Sequence, residues 1–578
     1  VHTVLNHAWS ETAHDITYKS PSDDESDFGR KIRENINKRL GKIMQDYLFP
    51  AGVEFQKVLH DHQMLLDGQL VYDKNIKKEL KESKDNNERF ALLESFTDSV
   101  LPLCEQEFLE KRIEEIFDIV RTGVKTAKGV PTVDIDTYFG PIEGKTFRDV
   151  FEAALKIVDF VRYFDVEATY DILFELLAMA EEKGESDKDI EDLIVKSAKK
   201  LASYHLEILK QAGVYVQKTL ISKLTKLTEQ ELLNSRQLVL AICSEAVESS
   251  AESTTSTFDT MTLSRGALIG DDHLSDLRLQ AISILKKLYS NADTESEKKQ
   301  VIAALDRATR TPSPGGYKDE LLAVIFRDSV EVVNFYESII ETEKYEILES
   351  LEERILFLYR RAMGLLETKR CNKDCLDLCE KMVVAAENFR DKLNAIEEFV
   401  IYKHLVGFQS VFPCAWESDS KDFQGEKKYR KEKIEEFVHG INDKNAEFWQ
   451  KIIVRCTKTT SDDMATFPCL ITFLQLVSEQ KPNFILDVLN QYESDIARFL
   501  TAILEGLLKS PSKDVAVKMM YAWVNKGEHL YSCANVFQFY KEIDLELLEK
   551  ILDKAIEAED VATIVIMITV ANVNFETN

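Results

Sequence analysis

The chain has 578 residues, 44% hydrophobic and 30% charged, with only 20 Gly and 11 Pro. That length suggests roughly three to five domain-sized units, and the composition favours folded, helix-rich structure over sandwiches, barrels or disorder. A formal charge of −28 argues against broad nucleic-acid binding, which is driven largely by cationic neutralisation of phosphates.

The densest motif is residues 1–20. A helix after Thr3 places His7, Glu11, His14 and Tyr18 at i, i+4, i+7 and i+11 on one polar stripe. Leu5, Ala8, Trp9, Ala13 and Ile16 mostly fall elsewhere and are expected to pack. Pro21 and the acidic run Asp23-Asp24-Glu25 end the helix. Thr3, His7-Ala8-Trp9, Glu11, His14-Asp15 and Tyr18-Lys19 fit the form hAWxExxHDxxYK. In this the stretch resembles the end of the RelA/SpoT-like nucleotide pyrophosphokinase domain, where such a helix follows a strand ending in Glu-x-Gln-x-Arg-Thr. His2 stands at the position of the family's Arg.

The resemblance implies transfer of the ATP pyrophosphate to a ribose 3′-hydroxyl, as in ppGpp synthesis. Mg2+ is the implied cofactor, and ATP and an acceptor nucleotide or tRNA end are the implied partners. On the same ground His7 lines the acceptor-nucleotide pocket, and His14 and Lys19 lie near phosphates or the base. Glu11 and Tyr18 support them. The family's catalytic carboxylate, phosphate-holding basic residues and metal-binding Asp lie upstream of this motif. Residues 1–70 are therefore expected to be the C-terminal piece of an α/β nucleotidyltransferase-like domain cut from a longer protein. No catalytic residue is expected in this fragment.

Within that piece Ile32, Ile36, Leu40, Ile43, Met44, Tyr47 and Leu48 recur at three and four residues, an amphipathic helix. Phe49-Pro50-Ala51-Gly52 breaks it. The basic residues Arg30, Lys31, Arg33, Lys38, Arg39 and Lys42 read as a solvated face. His60, Asp61 and His62 diverge around a helix, which disfavours a metal site there.

A helical region is expected over residues 71–248. Leu92, Leu93, Phe96, Val100 and Leu103 form one apolar face, and Phe108, Ile113, Ile116, Phe117 and Val120 another. Residues 123–144 are turn-rich, with room for a short extended segment. Asp134 and Asp136 there read as solvated carboxylates. Helices follow over 151–164, 166–182, 188–212, 214–227 and 229–246, the rhythm of stacked helical repeats.

Between residues 249 and 264, ten of sixteen residues are Ser or Thr. Their hydroxyls compete for local backbone groups, so residues 249–270 are expected to be a linker and a domain boundary. The stretch from Asp276-Leu277-Arg278 to Leu288 is similar to the second helix of HEAT-type repeats, which implies HEAT-like packing over 271–417. A Pro/Gly turn at 311–316 and helices over 321–340, 344–366 and 373–401 continue it. Cys371, Cys375 and Cys379, at i, i+4 and i+8, read as small apolar residues in a helix seam rather than a metal site.

A polar break at 418–433 carries the basic residues Lys427, Lys428, Arg430, Lys431 and Lys433 near Trp416 and Tyr429, and reads as solvated. Helices over 483–508, 513–526 and 545–557 fill the last region, 418–578. Residues 561–573 are apolar but too short for a membrane span and read as a buried terminal helix or strand. No membrane association is expected. Nine Cys without a paired framework predict reduced thiols and a cytoplasmic location.

The expected fold is thus mainly α: an α-solenoid of HEAT-like helical repeats after a truncated α/β piece. The expected role of the repeats is to regulate, sense or bind a protein partner for a nucleotide pyrophosphokinase, in a stress, toxin or phage-defence setting. The alternative is a non-enzymatic helical-repeat scaffold.

Overall fold

The computed structural model describes residues 71–574, apart from 105, 138–139, 181–187, 257–260, 313–315, 408–409, 418–422 and 462. The synthetase-like piece, with His7, Glu11, His14, Tyr18 and Lys19, lies outside the described residues. The described residues are mainly helical. They divide into two compact units between Tyr317 and Lys318, directly after the Pro/Gly turn.

In the first unit the longer helices are α1 (Val71–Glu82), α2 (Asn86–Ser95), α3 (Ile113–Ala127), α4 (Phe147–Val161), α5 (Val166–Ala180), α6 (Lys188–Ala202), α7 (Tyr215–Leu224), α8 (Arg236–Ala246), α9 (Asp272–Ser290) and α10 (Glu295–Ala308). Each packs mainly on near neighbours in the sequence: α3 on α1 and α4, α6 on α4, α5 and α8, and α9 on α8 and α10. Local stretches dictate the starts. Thr146 accepts from the Asp149 backbone N–H and Asp149 accepts from that of Thr146, a capping box, and Thr294 with Glu297 repeats it.

Two hairpins interrupt the helices. The turn-rich stretch near residue 140 holds strands β1 (Ile135–Thr137) and β2 (Gly140–Ile142), paired antiparallel. The Ser/Thr-rich stretch, expected as a linker, is instead a hairpin of β3 (Ser250–Ser256) and β4 (Met261–Ala267). The same β-branched content that disfavours helix favours an extended chain. Glu252 pairs across the strands with Arg265 at 2.6 Å, and its backbone N–H donates to Tyr204 O at 2.9 Å. The hairpin is therefore built into the first unit.

Arg278, from the HEAT-like stretch, is fully buried. Its guanidinium donates to the carbonyls of Val247, of Glu248 at 2.7 Å and of Ala308 at 2.8 Å. It thereby joins the C-terminal ends of α8 and α10, where carbonyls lack helical partners.

The second unit contains α11 (Asp319–Ser338), α12 (Tyr345–Thr368), α13 (Lys373–Asn394), α14 (Glu397–Leu405), α15 (Phe423–Gly440), α16 (Ala446–Thr457), α17 (Pro468–Gln480), α18 (Pro482–Ile496), α19 (Leu500–Lys509), α20 (Lys513–Lys526), α21 (Leu545–Glu557) and α22 (Val561–Asn574). One hydrophobic core runs from Ile401 to Val570, so the polar break near 418 does not divide it. At the crossing of α17 and α19, a Cβ on Gly506 would lie 2.2 Å from Gln475 O and 2.6 Å from Ser478 Cβ. Only glycine lets the two backbones approach this closely.

Helix α22 corrects the expectation of a buried terminal element. It buries Thr563 and Val570, while Val561, Val565, Ile568 and Val573 are more than half exposed. Its residues are apolar all round, but its neighbours cover one side only.

Two substitutions test this packing. Gly506→Ala should destabilise the chain by about 1–3 kcal/mol through overpacking, read as a lower urea midpoint. Arg278→Met should cost about 2–5 kcal/mol by leaving helix-end carbonyls unpaired. Arg278→Lys should recover only part of that, since an ammonium lacks the planar fork that reaches both helix ends. A loss under about 1 kcal/mol for Arg278→Met would mean that the clamp contributes little.

Candidate functional site

The C-terminal half of helix α14 is buried. Phe399, Ile401, Tyr402 and Leu405 are buried, and so are Lys403 and His404. Lys403 is only 2% exposed, so its charge is held by protein groups. It meets Glu352 of α12, which is 0% exposed. The ammonium donates to Glu352 Oε2 at 3.1 Å and Oε1 at 3.2 Å, to Asn394 Oδ1 at 2.5 Å and to Val411 O at 2.7 Å. Asn394 in turn donates from Nδ2 to Glu352 Oε1 and to Arg390 O, both at 2.8 Å. Burial pushes the Lys403 pKa down, and the Glu352 charge opposes that shift.

The pair forms the floor of a cleft of about 710 Å³, within the usual range for small-molecule sites. Glu352, Tyr359 and Met363 line it from α12 at i, i+7 and i+11, one stripe of a helix. Opposite stands the short helix Pro413–Glu417, tethered where Arg360 donates to Ala415 O at 2.6 Å. Trp416 packs edge-to-face on Tyr359 with centroids 5.1 Å apart, and the Arg390 guanidinium lies 5.5 Å from its ring. Trp416 is 8% exposed, and its indole N–H has no hydrogen-bond partner among the described residues.

The arrangement suits binding. Every donor of the Lys403 ammonium is engaged, which leaves no free amine for nucleophilic work. An aromatic wall, a buried indole donor and the Arg390 cation converge instead, as a recognition site for a planar, polar ligand requires.

The sequence pointed to Trp416, but not to Lys403, Glu352 or Asn394. One signal was available: a lysine inside the apolar run Phe399-Val400-Ile401-Tyr402-Lys403-His404-Leu405. The basic residues after Trp416 lie on α15 and are largely paired along it: Lys428 with Glu432, Lys431 with Glu435 and Lys433 with Glu436. Arg430 turns inward and donates to His404 O at 2.6 Å. Asp134 accepts from the Gly144 N–H at 3.3 Å. Cys371, expected on a helical stripe with Cys375 and Cys379, precedes α13, and all three sulfur atoms lie within 4.8 Å of one another.

His404 abuts the ion pair. Its Nδ1 lies 2.7 Å from Val400 O, and its ring packs among Phe412, Tyr429 and Phe437. Burial pushes its pKa down to about 4; the Val400 hydrogen bond opposes this, and the charges of Lys403, Arg430 and Lys433 add to it.

Lys403→Met should destabilise by about 3–5 kcal/mol, because it strands the Glu352 carboxylate in the interior. Lys403→Met with Glu352→Leu should recover most of that loss in urea unfolding; an additive double variant would contradict the pairing. The unfolded chain takes up a proton at His404 near the ordinary value of 6.5, whereas the folded chain does so only near 4. Stability should therefore fall as pH drops through that window, by up to about 3 kcal/mol. His404→Phe should flatten this slope between pH 6.5 and 4.5, and an unchanged slope would assign the pH dependence to other groups.

Compared with known proteins, the chain matches no family model and no curated protein.

Proposed function

We propose that this chain is the C-terminal part of a RelA/SpoT-like nucleotide pyrophosphokinase whose helical-repeat region regulates the synthetase by binding a ligand or a protein partner. The observation that carries the reading is the motif Thr3, His7-Ala8-Trp9, Glu11, His14-Asp15, Tyr18-Lys19. Transfer of pyrophosphate from ATP demands an acceptor hydroxyl oriented against the β-phosphate, with Mg2+ neutralising charge. In this reading His7, His14 and Lys19 contact the acceptor nucleotide, Glu11 and Tyr18 support them, and the metal ligands lie upstream of Val1.

Two features support a regulatory role for the remainder. Helices packed on near neighbours in the sequence suit a solenoid, whose extended surfaces bind partners. The cleft at Trp416 has the volume and lining of a small-ligand site. A non-enzymatic helical-repeat scaffold is the second reading, and the same helix packing favours it.

The test uses the chain extended by its upstream coding sequence, with and without residues 71–578. It is incubated with γ-labelled ATP, Mg2+ and GDP, GTP, AMP, ADP or tRNA. Label should move to one acceptor, His7→Ala or His14→Ala should abolish the transfer, and removal of the helical region should change its rate. No transfer by either form would leave the scaffold reading.

A further inference from the structure

The loop between α12 and α13 brings together three thiols that the cleft does not use. Lys369 ends α12 with a left-handed turn, φ +48°. Asn372 caps α13, its side chain accepting from the Cys375 N–H at 2.9 Å. This places Cys371 just outside the helix and turns it back over Cys375 and Cys379, which are 0% exposed. The three sulfur atoms lie within 4.8 Å of one another. At the rim Asp319, the first residue of α11, accepts from the Asn372 N–H at 2.7 Å through Oδ2. Its Oδ1 has no hydrogen bond among the described residues.

We propose that Cys371, Cys375 and Cys379 bind one Zn2+ ion through three thiolates, with a water molecule as the fourth ligand. A Zn–S bond of about 2.3 Å sets neighbouring sulfurs roughly 3.8 Å apart in a tetrahedral site. The observed separations, all within 4.8 Å, lie close to that geometry. Three thiolates match the preference of zinc for sulfur in a compact tetrahedron, and magnesium and calcium take oxygen ligands instead.

Burial, Cys375 and the Asp319 carboxylate push the Cys371 pKa up to about 12, and a hydrogen bond with Cys379 together with burial pushes that of Cys375 up. On binding, each coordinated thiol releases its proton to the buffer. The N-terminus of α13 then adds its positive end beside the Cys375 thiolate.

The test uses the full chain, reduced, stripped of metal and titrated with Co2+ as a spectroscopic stand-in for zinc. One equivalent should produce sulfur-to-cobalt charge-transfer absorption and tetrahedral cobalt bands, and Zn2+ should displace them. Cys375→Ser and Cys379→Ser should remove the tetrahedral bands. Cys371→Ser, at a partly exposed position outside the helix, keeps the test valid should the buried variants fail to fold. It should lower the charge-transfer intensity by about a third, one thiolate in three. No thiolate–cobalt absorption at one equivalent, or a band unchanged in Cys371→Ser, would overturn the proposal.

Discussion

The described residues are mainly helical, and at several helix ends buried arginines reach carbonyls across the packing between helices. The last carbonyls of a helix have no partner within it and carry the negative end of its dipole. Arg278 joins the ends of α8 and α10, and Arg236 donates to Leu288 O near the end of α9 at 2.9 Å. In the second unit Arg430 reaches the end of α14 at His404. Each contact is a charge-assisted hydrogen bond between elements distant in sequence, stronger than a neutral one. The helices are consequently locked at particular heights relative to their neighbours, which apolar contact alone does not specify.

The cleft in the second unit follows from the same constraint carried one step further. Lys403 is buried, so its charge is held by a carboxylate, an amide and a carbonyl from three segments. Glu352 belongs to α12, Asn394 to α13, and Val411 to the loop after α14. These are the segments that wall the cleft, so the ion pair sets the shape of its floor. Such pairs are costly to bury, and their gain in net stability over apolar packing is small. Their return here is geometry: Arg390 and Trp416 stand above a floor that cannot slide.

The opening motif and the helical region carry complementary parts of the functional reading. Under the proposed function the motif concerns a transfer reaction, and the helical region would control it. The Trp416 cleft and the cysteine cluster both lie in the second unit, both draw on α13, and they differ in chemistry. One presents an aromatic wall and a cation, the other three thiols.

Much of the helical structure was legible in the sequence. The apolar periodicity placed α20 at residues 513–526 and α21 at 545–557, because that signal acts within a few turns of chain. The Ser/Thr-rich stretch did not show its nature. Poor helix propensity fits a linker and a strand equally, and only the pairing of Glu252 with Arg265 and the bond to Tyr204 made it a hairpin. Terminal helix α22 was similarly opaque, since composition gives its apolarity but not which side its neighbours cover.

The candidate sites divide along the same line. Trp416 and the three cysteines could be named from residue type and spacing, and the HEAT-like stretch drew attention to Arg278. The Lys403–Glu352–Asn394 network spans fifty-one residues of chain between Glu352 and Lys403, and no local pattern links its members. The position of Cys371 depended on a single left-handed residue, Lys369, which broke the stripe that spacing alone implied. Local periodicity and capping thus determined where helices form and which faces are apolar. Only the tertiary structure decided which buried charges meet and which thiols converge, because those outcomes depend on helix ends and faces brought together across long stretches of chain.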